Sequence, residues 1–133
     1  MLEHLKLISA TSSQENTRVV FLLKGGPNLT NRIGNLHGGA VALIYDMCTT
    51  MCTAPLAKKG FWEFGGVSRC LSVTYMRPAK ASMDILVECE VLQLGKRLAT
   101  IRGQMRDRAT GNLLSVAEHN KVSISFAQPN PTL

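Results

Sequence analysis

Gly38-Gly39-Ala40-Val41-Ala42-Leu43-Ile44-Tyr45-Asp46-Met47-Cys48-Thr49-Thr50-Met51-Cys52-Thr53-Ala54 is the stretch on which the fold turns. Eleven of the fifteen residues from Ala40 to Ala54 are apolar, which is too many to leave one helical face polar. The pattern predicts a helix from Gly38 to about Ala57, opened by the glycine pair and stopped by Pro55 and Lys58-Lys59-Gly60. A helix apolar all round is expected to be buried on all sides. Asp46 is the one charged residue between Ile33 and Ala57. At the centre of a membrane span an aspartate costs about 2.5–3.5 kcal/mol, so the segment is expected to be a core helix and not a span.

Strand signals surround the helix. Leu5 to Ala10 and Arg18 to Lys24 form two short runs joined by the polar turn Thr11-Ser12-Ser13-Gln14-Glu15-Asn16. Gly25-Gly26-Pro27-Asn28 then marks a loop. After the helix come Val67 to Tyr75, Ile85 to Leu92, Leu98 to Arg106 and Leu113 to Phe126. Ile85, Val87, Cys89 and Val91 alternate with Leu86, Glu88, Glu90 and Leu92, which is strand period. Gln93-Leu94-Gly95-Lys96 and Arg108-Ala109-Thr110-Gly111-Asn112 are short enough to be hairpin turns, so neighbouring strands are expected to be antiparallel. The expected architecture is of the α+β class, with one long helix held by a curved antiparallel sheet of five or six strands. With no repeat or linker, residues 1–133 are expected to form a single domain. A curved sheet covers a helix on three sides, and a second copy of the chain is the simplest cover for the fourth.

The formal charge is +6 in 133 residues, with 45% hydrophobic and 18% charged residues, which fits a globular chain whose charge serves an anionic partner or solubility. The basic residues are scattered, and only seven Phe, Trp and Tyr residues are present, so nucleic acid is not the expected partner. A small polyphosphate ligand fits as well. Cys48, Cys52, Cys70 and Cys89 show no metal-ligand spacing and are expected to be reduced, buried thiols, with Cys48 and Cys52 on one helical face. The opening Met1-Leu2-Glu3-His4-Leu5-Lys6 has neither the basic region nor the apolar run of a secretory signal. A cytoplasmic protein is expected, with the mitochondrion as the alternative.

Chemistry concentrates at the start of the helical segment and at its middle. Asn31-Arg32-Ile33-Gly34-Asn35-Leu36-His37-Gly38-Gly39 leads into it. The first-turn N–H groups of a helix lack internal partners and carry the positive end of the dipole, so they can hold a carbonyl oxygen and stabilise an oxyanion. Asn31 and His37 can add or orient donors there; the alternative is that Gly38-Gly39 only permits tight packing and that His37 is a structural histidine. Asp46, alone on a greasy helix, is costly unless paired or used, and burial is expected to raise its pKa toward that of a general base. Asp46 lies eight residues past Gly38, about 12 Å along the axis at 1.5 Å per residue. An aspartate side chain does not bridge that gap. If both groups act on one substrate, they come from different chains, with two helices antiparallel about a two-fold axis.

These residues carry a resemblance. Asn31 six before His37, the triplet His37-Gly38-Gly39, Asp46 nine after His37 and Gly66-Val67-Ser68 resemble the hotdog-fold thioesterases of the phenylacetate-pathway type, including animal thioesterase superfamily members. Thr74-Tyr75-Met76-Arg77-Pro78-Ala79-Lys80, Leu94-Gly95-Lys96-Arg97 and Ala109-Thr110-Gly111 continue it, from roughly Gly25 to Ser123. The resemblance implies hydrolysis of acyl-CoA to a free acid and coenzyme A, without metal or redox cofactor. It implies that the Gly38 N–H and Asn31 polarise the thioester carbonyl, that His37 positions that end of the site, and that a partner's Asp46 serves as base or nucleophile with Ser68 assisting. It assigns coenzyme A to Tyr75, Met76, Arg77, Pro78, Ala79 and Lys80 and to Gly95, Lys96 and Arg97. The assembly it implies is a homodimer or a homotetramer of two dimers. A hotdog hydratase or dehydratase and a non-catalytic acyl-CoA binding protein remain as alternatives. The segment from Lys58 to Gly65 and the residue Arg69 depart from the pattern; Phe61, Trp62 and Phe64 are expected either to lid an acyl pocket or to pack on the surface.

Overall fold

The computed structural model describes residues 4–13, 16–25 and 27–124. Gln14 and Glu15 of the first predicted turn, Gly26 of the predicted loop and the tail of the last predicted strand from residue 125 lie outside these. Six strands and one long helix follow in the order β1 (Leu5–Ser12), β2 (Thr17–Lys24), α1 (Gly38–Cys52), β3 (Val67–Tyr75), β4 (Asp84–Leu94), β5 (Leu98–Asp107) and β6 (Leu113–Val122). The strands form one antiparallel sheet in the order β1-β2-β4-β5-β6-β3. The short connections make β4–β5 and β5–β6 hairpins, as their turn residues predict. β3 instead leaves α1 and pairs with β6, which puts β3 at one edge and β1 at the other.

The helix packs across the sheet, touching β2, β3, β4, β5 and β6. Ile85, Val87 and Cys89 point inward at every second position, as the alternation predicts. The expected burial of α1 on all sides is corrected within one subunit. Val41, Ile44, Tyr45, Cys48, Thr49 and Cys52 form a buried face, while Leu43 and Met51 remain exposed on the other. The sheet is one layer thick and covers only the side it faces. The helix also ends earlier than Ala57. After Cys52 the chain tightens into a 3-10 turn at Ala54–Leu56, because Pro55 lacks an N–H and the Thr53 hydroxyl donates to the Thr50 carbonyl at 2.7 Å.

Two contacts seat the helix. Tyr45 is fully buried and the Cδ1–Cε1 edge of its ring lies against Gly103 of β5, where an added Cβ would come within 2.7 Å of the ring. At the other end, Trp62 is neither a lid nor a surface residue. It is 2% exposed, sits at φ +53°, and donates its Nε1–H to the Gly95 carbonyl at 2.7 Å. That bond ties the loop after α1 to the β4–β5 turn. Phe61 lines a separate cavity of about 320 Å³ with Leu56 and Leu94. Cys48, Cys52 and Cys89 are buried, and burial pushes the Cys48 thiol up to about 12 and the Cys52 thiol up to about 11. Cys70, expected to be buried, is exposed on the edge strand β3.

The Gly103–Tyr45 contact predicts that Gly103→Ala destabilises the fold by about 1–3 kcal/mol through overpacking, read as a lower urea midpoint with an unchanged slope. A midpoint equal to wild type would show that the helix does not depend on this close approach.

Candidate active site

The predicted residues separate into two clusters, one at the N-terminus of α1 and one along its second half. The amide end holds Asn31, His37 and Gly38. Asn31 Oδ1 accepts the backbone N–H groups of Ile33 and Asn35, each at 3.0 Å. Both partners are donors, so the carbonyl oxygen of the amide faces the loop and the NH₂ is left to donate elsewhere. Asn31, Gly38, Tyr75, Arg77 and Ala79 line one cavity of about 280 Å³. Tyr75 donates its hydroxyl to the Gly38 carbonyl at 2.5 Å, which fixes the first residue of the helix. Arg77 donates to the Leu113 carbonyl at 2.7 Å, Ala79 is buried, and Lys80 pairs across from Asn35. Met76 is exposed and bonds through its backbone to Leu114, and Pro78 joins Ala79 on the cavity wall. His37 is the N-cap by backbone position only. Its side chain makes no capping bond and is exposed.

The carboxylate end holds Asp46 and Ser68. They line a second, wider cleft of about 510 Å³ with Met47, Thr50, Met51 and Lys121. The expected burial of Asp46 is only partly met in one subunit: its side chain is 45% exposed and opens to the cleft. Ser68 reaches the cleft through an irregularity. Strict alternation along β3 places Leu71 and Val73 inward and puts Ser68 outward with Cys70 and Ser72. The register shifts between Ser68 and Cys70, so Arg69 is the extra residue of a bulge and Ser68 is turned to the inward face. Gly95, Lys96 and Arg97 belong to the turn at this same end of the sheet, beside Trp62.

Within one subunit the clusters therefore stay apart. Gly38 and Asp46 are on one unbroken helix, and Ser68 and Tyr75 are seven residues apart on β3, roughly 23 Å at 3.3 Å per residue. The two segments assigned to coenzyme A likewise flank opposite ends of β4.

Two residues absent from the sequence-based site stand beside Asp46. Ser115, Ala117, His119 and Lys121 are the inward row of β6, and His119 and Lys121 are 0% and 3% exposed. Each meets a threonine of α1. Thr49 donates its hydroxyl to the Tyr45 carbonyl at 2.7 Å and contacts His119 Nδ1 at 2.7 Å. Thr50 donates to the Asp46 carbonyl at 2.7 Å and accepts from Lys121 Nζ at 2.6 Å. His119 Nε2 lies 2.7 Å from Ser68 Oγ and 3.9 Å from Asp46 Oδ1. Burial and the Lys121 charge lower the pKa of His119, against the pull of Asp46, and burial lowers that of Lys121. Sequence alone does not find this row. Val116, Glu118, Asn120 and Val122 make an equally mixed alternative face, and only the sheet's seat on α1 chooses between them.

One helix laid across a six-stranded antiparallel sheet, with its amide terminus and a mid-helix carboxylate open to solvent, is the hotdog architecture. Residues 33–113 match the Thioesterase superfamily, and the chain belongs to that family. Human acyl-coenzyme A thioesterase 13 is 37% identical over 107 residues, which span 78% of this chain and 71% of that protein. Zebra fish thioesterase superfamily member 2 superposes with a TM-score of 0.79 at 34% identity, over 91% of this chain and 82% of that one. The E. coli PaaI protein from the phenylacetic acid degradation operon shares the fold, with a TM-score of 0.73 at 14% identity over 91% and 80% of the two chains.

The buried histidine sets a pH dependence of stability. Folded His119 holds a proton less readily than the unfolded chain, whose value is 6.5, so stability is complete above that pH and is lost as pH falls below it. The melting temperature should fall between about pH 7 and about pH 5, and by less in His119→Gln. Equal falls in both proteins would remove His119 from the acid response.

Proposed function

We propose that this protein hydrolyses acyl-CoA thioesters to a free acid and coenzyme A, at sites built between two copies of the chain. The observation that carries the proposal is the unbroken helix α1, which holds an amide terminus and a carboxylate on one rod, about 12 Å apart, with a cavity at each of the two groups. A thioester needs both groups within a few ångströms of one carbonyl. Two copies related by a two-fold axis, with their helices antiparallel, set each Asp46 against the partner's Gly38. The exposed Leu43 and Met51 on the open face of α1, and the unpaired edge of β3, supply the surfaces such a pairing covers.

In this site the Gly38 N–H and the free NH₂ of Asn31 receive the thioester carbonyl from one chain. A water between Asp46 and Ser68 of the other chain attacks the carbonyl carbon. Asp46 takes one proton of that water as general base, and the carbonyl electron pair moves onto the oxygen held by the amide donors. Collapse breaks the C–S bond, and the thiolate leaves with the proton returned from Asp46. The half-exposed carboxylate, open to a wide cleft, favours a base acting on water. Tyr75–Lys80 and Gly95–Arg97 serve the coenzyme A moiety. Arg18, Arg102 and Arg106 pair with Glu88 and Glu90 on the outer face of the sheet, whereas Lys80, Lys96 and Arg97 are exposed and in no ion pair among the described residues. Unpaired cations suit phosphates. No metal or redox cofactor enters this chemistry.

Asp46→Ala should lose most turnover while keeping its melting temperature, and Asn31→Ala should slow turnover by about 2.7–4 kcal/mol of barrier, measured by free-thiol release from acyl-CoA. Mixing the two slow variants under conditions of subunit exchange should restore activity, because a mixed dimer contains one intact site. No recovery, with exchange proven by mass-labelled subunits, would place the whole site within one chain.

A further inference from the structure

We propose that His119, oriented by Thr49, is a positioning residue that holds the hydroxyl proton of Ser68 and thereby leaves the Ser68 oxygen as an acceptor facing the Asp46 cleft. The inference rests on the hydrolytic reading above and adds two residues to it. The argument follows the protons. Thr49 has one hydroxyl proton, and the Tyr45 carbonyl at 2.7 Å receives it, with the Asp46 carbonyl at 3.3 Å as a weaker second acceptor. The Thr49 oxygen therefore meets His119 Nδ1 at 2.7 Å as an acceptor, and Nδ1 carries the ring proton. Nε2 of the neutral ring is then a lone pair. At 2.7 Å it can only receive the Ser68 hydroxyl proton. The buried ring has no freedom to swap roles, since it is 0% exposed and packed between α1 and β6.

The consequence is directional. With its proton turned to His119, Ser68 presents lone pairs to the cleft it shares with Asp46. An attacking water has two protons to place. Asp46 removes one, and the Ser68 oxygen accepts a hydrogen bond from the other, which stays on the new hydroxyl of the tetrahedral adduct. Two acceptors aim the water's lone pair at the carbonyl carbon. A Ser68 hydroxyl free to rotate would donate toward Asp46 or the water and lose that aim. The bulge at Arg69, which turns Ser68 inward, and the Thr49 back-bond, which sets the ring's tautomer, both serve this one orientation.

The test is a pair of double-mutant cycles on the assembled enzyme. The substrate is the most rapidly hydrolysed member of a saturated acyl-CoA series from acetyl-CoA to palmitoyl-CoA. His119→Asn keeps a donor for Thr49 but falls short of Ser68, and Thr49→Val keeps shape but frees the tautomer. Each should lower kcat about tenfold, the rate equivalent of one hydrogen bond, with KM within about twofold of wild type. In a Ser68→Ala background each should change kcat by less than about twofold, because the group they act through is gone. Thr49→Val carries the test alone if His119→Asn does not fold. The same loss with and without Ser68, or wild-type kcat in the single variants, overturns the inference. Wild-type kcat in Ser68→Ala also overturns it, and the loss expected of Asp46→Ala then shows separately that the hydrolytic reading still stands.

Discussion

The rise of an α-helix is the constraint from which the rest of the molecule follows. Gly38 and Asp46 belong to the same fifteen-residue rod, and no side-chain rotation brings them to one atom. The rod is held by its seat on the sheet, where Tyr45 presses on Gly103 and the Val41, Ile44, Cys48 and Cys52 side chains fill the core. The reactive groups are consequently sorted by end. The amide terminus shares its cavity with Tyr75 and Arg77, and the carboxylate shares its cleft with Ser68 and Lys121. The two groups of the proposed thioester chemistry therefore lie in separate cavities of one subunit, which is why the proposed site calls on a second copy.

The carboxylate end shows how a sheet can build a polar site under a greasy helix without leaving a polar group stranded. Consecutive threonines on α1 return their hydroxyl protons to the helix carbonyls one turn back, and each thereby offers an oxygen lone pair to β6. His119 and Lys121 are two residues apart, the spacing that puts both on one face of a strand, and they take those two acceptors. Among the described residues no buried side-chain nitrogen or oxygen lacks a partner. A fully satisfied network of this sort holds a single arrangement, because each alternative breaks a bond that burial prevents water from replacing. The tautomer of His119 is therefore a property of the fold.

The aromatic segment between α1 and β3 closes the same end. Trp62 is buried against the rest of the core, and its indole N–H finds the Gly95 carbonyl in the β4–β5 turn. Gly66 permits this, since a Cβ there would come within 2.6 Å of the indole ring. The turn that carries Lys96 and Arg97 is thus anchored to the loop that leads into Ser68, which couples a cationic turn to the position of the hydroxyl.

The order of elements, the antiparallel hairpins, the long apolar helix, Asp46 and the glycine-rich lead-in were all legible in the sequence. Each is local: periodicity, turn chemistry and a lone charge are written in neighbouring residues. The 12 Å between amide and carboxylate was legible too, since it needs only the rise of a helix. What tertiary structure decided is pairing and facing. β3 joins β6, the bulge at Arg69 turns Ser68 inward, Trp62 goes into the core, and the His119 row of β6 faces α1 in place of the equally mixed Glu118 row. The exposure of Asp46 and of one helix face was also decided there. These outcomes depend on contacts between segments distant in the chain, such as Thr49 with His119 and Ser68 with His119, and no local pattern encodes which of two similar strand faces will meet a helix.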